Sequence, residues 1–235
     1  MSLLTILQNA AAVLSLPQPQ QTVGSPSLQT QNLLGLAQIG GRALARSHPW
    51  QILTVRREFV VATSQPQQIG EPPPADYDHL IPLQRIWDIT RRTWLIGPVS
   101  ANEWDGLVTK EVTTSPSYWI LLGGVLNIWP APAVGDSFRY SYVSKNWIKP
   151  ETGPNISRWA ASTDVSLLDE SLHELDLIWR FKQGKGLDYA EDMQTFEREK
   201  EKAIARDRGP REITTTAPID MPDNFWPGTI VETAP

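Results

Sequence analysis

Hydrophobic and polar positions divide the chain into three regimes. Over residues 1–16, Leu3, Leu4, Ile6, Leu7, Ala10 and Leu14 recur at helical spacing, which predicts an amphipathic helix. A Gln/Pro linker follows from Pro17 to Ser25. Ser25-Pro26 predicts the next helix start, with Ser as N-cap and Pro at the first helical position. Leu33, Leu36, Ala37, Ile39 and Leu44 form its apolar stripe, and His48-Pro49 ends it. Gly40-Gly41 weakens this helix by about 1 kcal/mol per glycine relative to alanine. Either another helix approaches closely there or the weakness is simply tolerated.

From Trp50 the period shortens to two. Val55, Phe59 and Val61, with Ile52 and Val60, predict a strand within Trp50 to Thr63. Ser64 to Asp78 reads as a surface loop, and Ile86 to Ile96 as a hairpin around Arg91-Arg92. Ser100-Ala-Asn-Glu103 is a capping box that should open a short helix through Trp104 and Leu107. The centre of this regime is Tyr118 to Trp147. Gly123-Gly124 between two apolar runs predicts a two-residue hairpin turn, since glycine adopts positive φ cheaply. That turn fixes the register: Leu122 meets Val125, Leu121 meets Leu126, Ile120 meets Asn127, Trp119 meets Ile128 and Tyr118 meets Trp129. Pro130-Ala-Pro132 stops the second strand. After Gly135-Asp136, Phe138, Tyr140 and Tyr142 alternate with Ser137, Arg139, Ser141 and Val143. The pattern predicts three sequential antiparallel strands with one strongly apolar face.

Helical spacing returns from Asp164. Leu168, Leu172, Leu175 and Trp179 lie on one face, Gly184-Lys-Gly186 breaks the helix, and Tyr189, Met193, Phe196 and Ile204 stripe the next. Glu197 to Lys202 is a solvated face of mixed charge. After Arg208-Gly209-Pro210 the composition turns to Thr, Pro, Ala and Asp, which cannot bury a core of its own. The expected fold is α+β. An antiparallel bundle of about four helices comes from residues 1–50 and 160–208. An antiparallel β domain is inserted at 51–159, and an extended C-terminal tail covers 209–235.

Charge and chemistry narrow the picture. The 235 residues carry a net charge of −5, which argues against a broad basic face for nucleic acid. With no cysteine there is no disulfide, thiolate metal site or cysteine nucleophile. No apolar run approaches the roughly 20 residues of a membrane span. Residues 1–16 lack the basic start of a signal peptide. A soluble protein made in the cytoplasm, without membrane contact, is expected. Among His48, His79 and His173, Glu170-Ser-Leu-His173 gives half of a di-iron motif but has no second half, so His173 is expected to be exposed or capping. Gly184-Lys-Gly186 lacks the spacing of a phosphate loop, and Asn155-Ile-Ser157 is a chance sequon. No nucleophile, base and orienting group fall into a set, so the chain reads as a non-enzyme with no metal and no cofactor. Tyr118, Trp129, Tyr140 and Tyr142 would stack sugars if exposed, and fill a core or interface otherwise. Arg56-Arg57 and Arg91-Arg92 are compact basic spots that would touch phosphate or serve turns and ion pairs.

The order of segments resembles a known family. Leu33-Leu-Gly-Leu-Ala-Gln-Ile-Gly-Gly-Arg-Ala-Leu-Ala-Arg46 leads to Trp50-Gln-Ile-Leu53 and Glu58-Phe-Val-Val61. Ile96-Gly-Pro98 precedes Glu103-Trp104, and Trp129-Pro-Ala-Pro132 precedes Gly135 and Tyr140-Ser-Tyr-Val143. Leu167-Leu-Asp-Glu-Ser-Leu172 continues into Ile178-Trp-Arg-Phe-Lys182 and Gly186-Leu-Asp-Tyr-Ala190. Over residues 1–207 this resembles the head-to-tail adaptor (tail tubular protein A-like, or head-completion) proteins of tailed bacteriophages. The resemblance implies a structural virion protein at the head-tail junction. It implies a homo-oligomeric ring, commonly of twelve copies, between the portal protein and a downstream tail or nozzle protein, around the channel through which DNA passes. The C-terminal segment would then reach toward the portal, with Phe225, Trp226, Ile230 and Val231 as contacts. Arg56, Arg57, Arg91 and Arg92 would face the channel or an interface. An acidic chain suits a tunnel that must not grip DNA, because phosphate contacts dominate DNA affinity. The long linker at 17–25, the long C-terminal segment and Phe225-Trp226 depart from the short-tailed pattern and leave the tail type open. The alternative is a carbohydrate-binding β module of a phage or surface protein.

Overall fold

A computed structural model describes residues 2–62, 69–82, 84–113 and 116–207. The expected tail at 209–235, with Phe225, Trp226, Ile230 and Val231, lies outside the described residues. Within them the protein is a mixture of five α-helices and antiparallel sheets.

Each helix begins where a side chain can satisfy its first free amides. Helix α1 spans Leu3–Val13, and Ser2 Oγ accepts from the Thr5 amide. Helix α2 spans Leu28–Ser47 and is capped by Ser27, two residues later than Ser25-Pro26 suggests. The reason is local: Ser25 Oγ accepts from the Ser27 amide at 3.3 Å, forming a turn that leaves Pro26 outside. His48 ends α2 in extended conformation, as a residue before proline should. Helix α3 spans Ala101–Thr109 and carries the expected capping box in full. Helix α4, Glu170–Gly184, starts at Asp169, and helix α5 spans Ala190–Asp207.

Helix α4 touches α1, α2 and α5. It buries Leu172, His173, Asp176, Leu177, Ile178, Trp179 and Phe181, more than the single stripe its leucine spacing predicts. The glycine pair of α2 is explained by this crowding. A Cβ on Gly40 would lie 1.7 Å from Asp176 Oδ2 of α4, and one on Gly41 would lie 2.0 Å from Trp147 Cη2. Close approach is therefore the reason for both glycines. One meets a helix and the other an indole.

The strands are β1 Thr54–Val60, β2 Ile69–Glu71, β3 Tyr77–Leu80, β4 Trp87–Asp88 and β5 Thr93–Trp94. They continue as β6 Tyr118–Leu122, β7 Val125–Trp129, β8 Ser137–Ser144, β9 Ile148–Lys149 and β10 Val165–Ser166. The β6–β7 hairpin has the predicted register from Leu122↔Val125 to Tyr118↔Trp129, with both turn glycines at positive φ. The hairpin around Arg91-Arg92 also forms, pairing Trp87 with Trp94 and Asp88 with Thr93.

The expectation of three sequential strands needs correction. Strand β8 does not pair with β7. It joins a five-stranded sheet in the order β1-β8-β4-β5, with β3 also on β8, while β7 lies between β2 and β6 in another sheet. Prolines at 130 and 132 remove ladder donors, and the chain then crosses to β1, where Val61 and Asp136 bond through their backbones at 2.9 Å. The aromatic side chains of β8 thus meet the hairpin across a core rather than alongside it. Phe59, Ile86, Leu95, Trp119, Leu126, Ile128, Phe138, Tyr140 and Tyr142 form that core. The hairpin's other face is apolar too. Ile120 and Trp129 lie under Trp104 of α3, and the Trp129 indole N–H donates to the Val112 carbonyl at 2.7 Å.

A basic cleft where helix α2 meets strand β8

Gly41 brings the second half of α2 against Trp147, just beyond the end of β8. Gln38, Arg42, Ala45 and Arg46 then follow at spacings that share one helix face. They line a cleft of about 400 Å³ together with Asp78, Val143, Ser144, Lys145, Trp147, Ser157 and Arg158. Gln38 fixes the far wall: its Oε1 accepts from the Trp159 amide at 2.9 Å, and its Nε2 donates to the Ser157 carbonyl at 3.3 Å. Arg158 is held between those two bonds. Lys145 is anchored by its amide, which donates to the Asp76 carbonyl at 2.8 Å.

The charges do not balance. Arg46 Nε donates to Asp78 Oδ1 at 3.0 Å, and His79 Nδ1 lies 2.8 Å from Asp78 Oδ2. Burial alone would raise the Asp78 carboxyl, but the bonds from Arg46 and His79 outweigh it and hold the group below the usual carboxylate range. Arg42, Lys145 and Arg158 are exposed, and among the described residues none has an ion-pair partner. A chain of net charge −5 thus concentrates three cations without ion-pair partners among the described residues around one cleft, whose base rests on the buried Ala45, Val143 and Trp147. Such a cationic rim can hold a ligand that carries carboxylates.

Beneath that base lies a buried polar pair. Trp147 stacks on His173 with ring centroids 5.4 Å apart, and Trp159 meets Trp147 edge-on at 5.1 Å. Ser166 Oγ accepts from the Leu168 amide at 3.0 Å and shares a hydrogen bond with His173 Nε2 at 2.7 Å. His173 is therefore neither exposed nor capping, because the indoles of Trp147 and Trp159 enclose it. Burial pushes its pKa down to about 4. Among the described residues no group of three or more His, Cys, Asp and Glu is placed to hold a metal.

The residues singled out from sequence are dispersed. Arg56 is exposed on β1 opposite Ser141, beside the Arg139–Glu58 ion pair at 2.9 Å. Arg57 is half-buried opposite Tyr140. Arg91 donates through Nη1 to Asp88 at 2.7 Å and through Nη2 to Asp136 at 2.8 Å, tying the β4–β5 turn to the turn before β8. Arg92 is exposed at φ 56. Trp129, Tyr140 and Tyr142 are buried and Tyr118 half-buried. Arg42, Lys145 and Arg158 were missed. Only the Arg42–Arg46 spacing of four gave a signal, and their other partners lie about a hundred residues further along the chain. No protein-family model matches the chain, and no curated protein matches it.

Proposed function

We propose that the chain is a head-to-tail adaptor of a tailed bacteriophage, a structural virion protein whose copies close into a ring between portal and tail around the DNA channel. In this reading α1, α2, α4 and α5 form one bundle, residues 51–159 are a β domain inserted into it, and 209–235 reach the portal. The observation that carries the reading is the ordered set of segments from Leu33 to Ala190, several of which coincide with elements of the fold. Leu33 to Arg46 lies within α2, Glu58 to Val60 closes β1, Glu103-Trp104 lies in the first turn of α3, and Ile178 to Lys182 lies within α4. Arg91 is held by Asp88 and Asp136, so one of the four arginines that the resemblance would turn toward the channel or an interface serves a turn instead. No helix among the described residues is long and apolar enough to cross a membrane.

Native mass spectrometry with purified portal tests the proposal. The full chain is expected to form a ring-sized assembly that attaches to portal. Deleting residues 210–235 should leave the far-ultraviolet circular dichroism spectrum helical and abolish attachment. A chain that stays monomeric at high concentration, with and without portal, and never co-purifies with virions sinks the reading. The carbohydrate-binding alternative draws little from the aromatic residues it named, since three of the four are buried.

A further inference from the structure

We infer that the basic cleft is a docking site for the chain's own C-terminal segment, with Ile219 to Trp226 as the part that seats. This goes beyond the adaptor reading and does not depend on it. Three observations lead to it. The first is charge: Arg42, Lys145 and Arg158 lack carboxylate partners among the described residues, and Ile219-Asp220-Met221-Pro222-Asp223-Asn224-Phe225-Trp226 presents two. The second is size: a cleft of about 400 Å³ is larger than a single phosphate fills and takes several side chains of a segment.

The third is reach. Helix α5 ends at Asp207, which lies against the end of α2: its carboxylate sits 3.2 Å from His48 Nε2 and accepts from the Gln51 amide at 3.1 Å. Arg42 lies six residues before His48, about 9 Å back along the helix. Asp220 lies thirteen positions after Asp207, a span of at most about 45 Å of chain. A tether of that length keeps the segment at roughly millimolar effective concentration near the cleft, well above what a separate copy supplies in dilute solution. The segment of the same chain is therefore the occupant. Seated there, it sets Asp220 and Asp223 among the rim cations, and it must leave before it can engage any other protein.

The absence of cysteine makes the test direct. Full-length protein carrying Ser157→Cys and Asn224→Cys has one thiol on the cleft wall and one in the segment. Under mild oxidation it is expected to form an intrachain disulfide about tenfold faster than a control carrying Ala101→Cys and Asn224→Cys, whose first thiol lies on α3. Adding Asp220→Lys and Asp223→Lys should remove that advantage, and combining them with Arg42→Glu and Arg158→Glu should restore it. Arg42 and Arg158 are exposed, so these variants keep the fold. A rate equal to the control, a disulfide only between chains, or indifference to charge reversal overturns the inference. Portal takes no part in the measurement, so this result and that of the adaptor test are independent.

Discussion

Gly41 decides how near α2 can come to the rest of the protein. A single added methyl group would overlap the Trp147 ring, with Cη2 at 2.0 Å and Cζ2 and Cζ3 at 2.6 Å. Trp147 cannot retreat, because Trp159 and His173 hold it on two sides. Gly41→Ala should therefore destabilise by about 1–3 kcal/mol, although alanine is the better helix former. Gly35 sits on the same helix with nothing within 4 Å of its absent Cβ, and Gly35→Ala should stabilise by about 0.5–1 kcal/mol. Urea titration of the two variants is expected to shift the midpoint in opposite directions, and equal shifts would refute the packing account. From sequence Gly40-Gly41 could be seen to need a reason. Which of the two meets an indole could not, because Trp147 is more than a hundred residues away.

At the scale of elements, α3 depends on its cap. The Ser100 hydroxyl accepts from the Glu103 amide at 3.3 Å, and Glu103 Oε2 accepts from the Ser100 amide at 2.9 Å. The helix has nine residues and lays Trp104 on Ile120 and Trp129. Ser100→Ala should cost about 1 kcal/mol and show as faster hydrogen exchange across α3, with β8 unaffected. Uniform acceleration over the whole chain would mean that α3 is not a separable unit. The cap and both hairpins were legible because each is set by residues within a few positions of one another. The partner of β8 was not. Its ladder runs to β1, Thr54 against Val143 through Val60 against Ser137, and no local signal joins segments so far apart. Helix α4 was read as one-faced because its leucines fall on one stripe. Its neighbours α1, α2 and α5 use the remaining sides.

At the scale of the whole molecule, stability should depend on pH through His173. Its pKa in the folded protein is about 4 against an ordinary 6.5, so between these values the unfolded chain binds the extra proton. Stability is then full above about pH 6.5 and falls by about 3 kcal/mol as the pH drops toward 4. Asp176 acts in the opposite sense. Burial raises its carboxyl despite the bond from Arg180, so its contribution favours the folded state in acid and is lost as pH rises above the ordinary carboxylate value. Asp78, held low, adds to the loss at still lower pH. Urea unfolding from pH 7 to 4 should show the fall. In His173→Asn the slope between 6.5 and 4 should flatten even though the variant starts less stable, and an unchanged slope would discard His173 as the source. The basic cleft was hidden from sequence for the same reason as β8's ladder: its cations come from α2, from the end of β8 and from the loop carrying Arg158.

That shared strand has a consequence for synthesis. Strands β1, β3 and β4 all wait for residues 137–144, and at about 5–20 residues per second the ribosome delivers them roughly 4–15 s after β1. During that interval the nascent edge Thr54–Val60, with Phe59 uncovered, has no ladder of its own to join. It is the stretch that a chaperone would hold while the chain emerges.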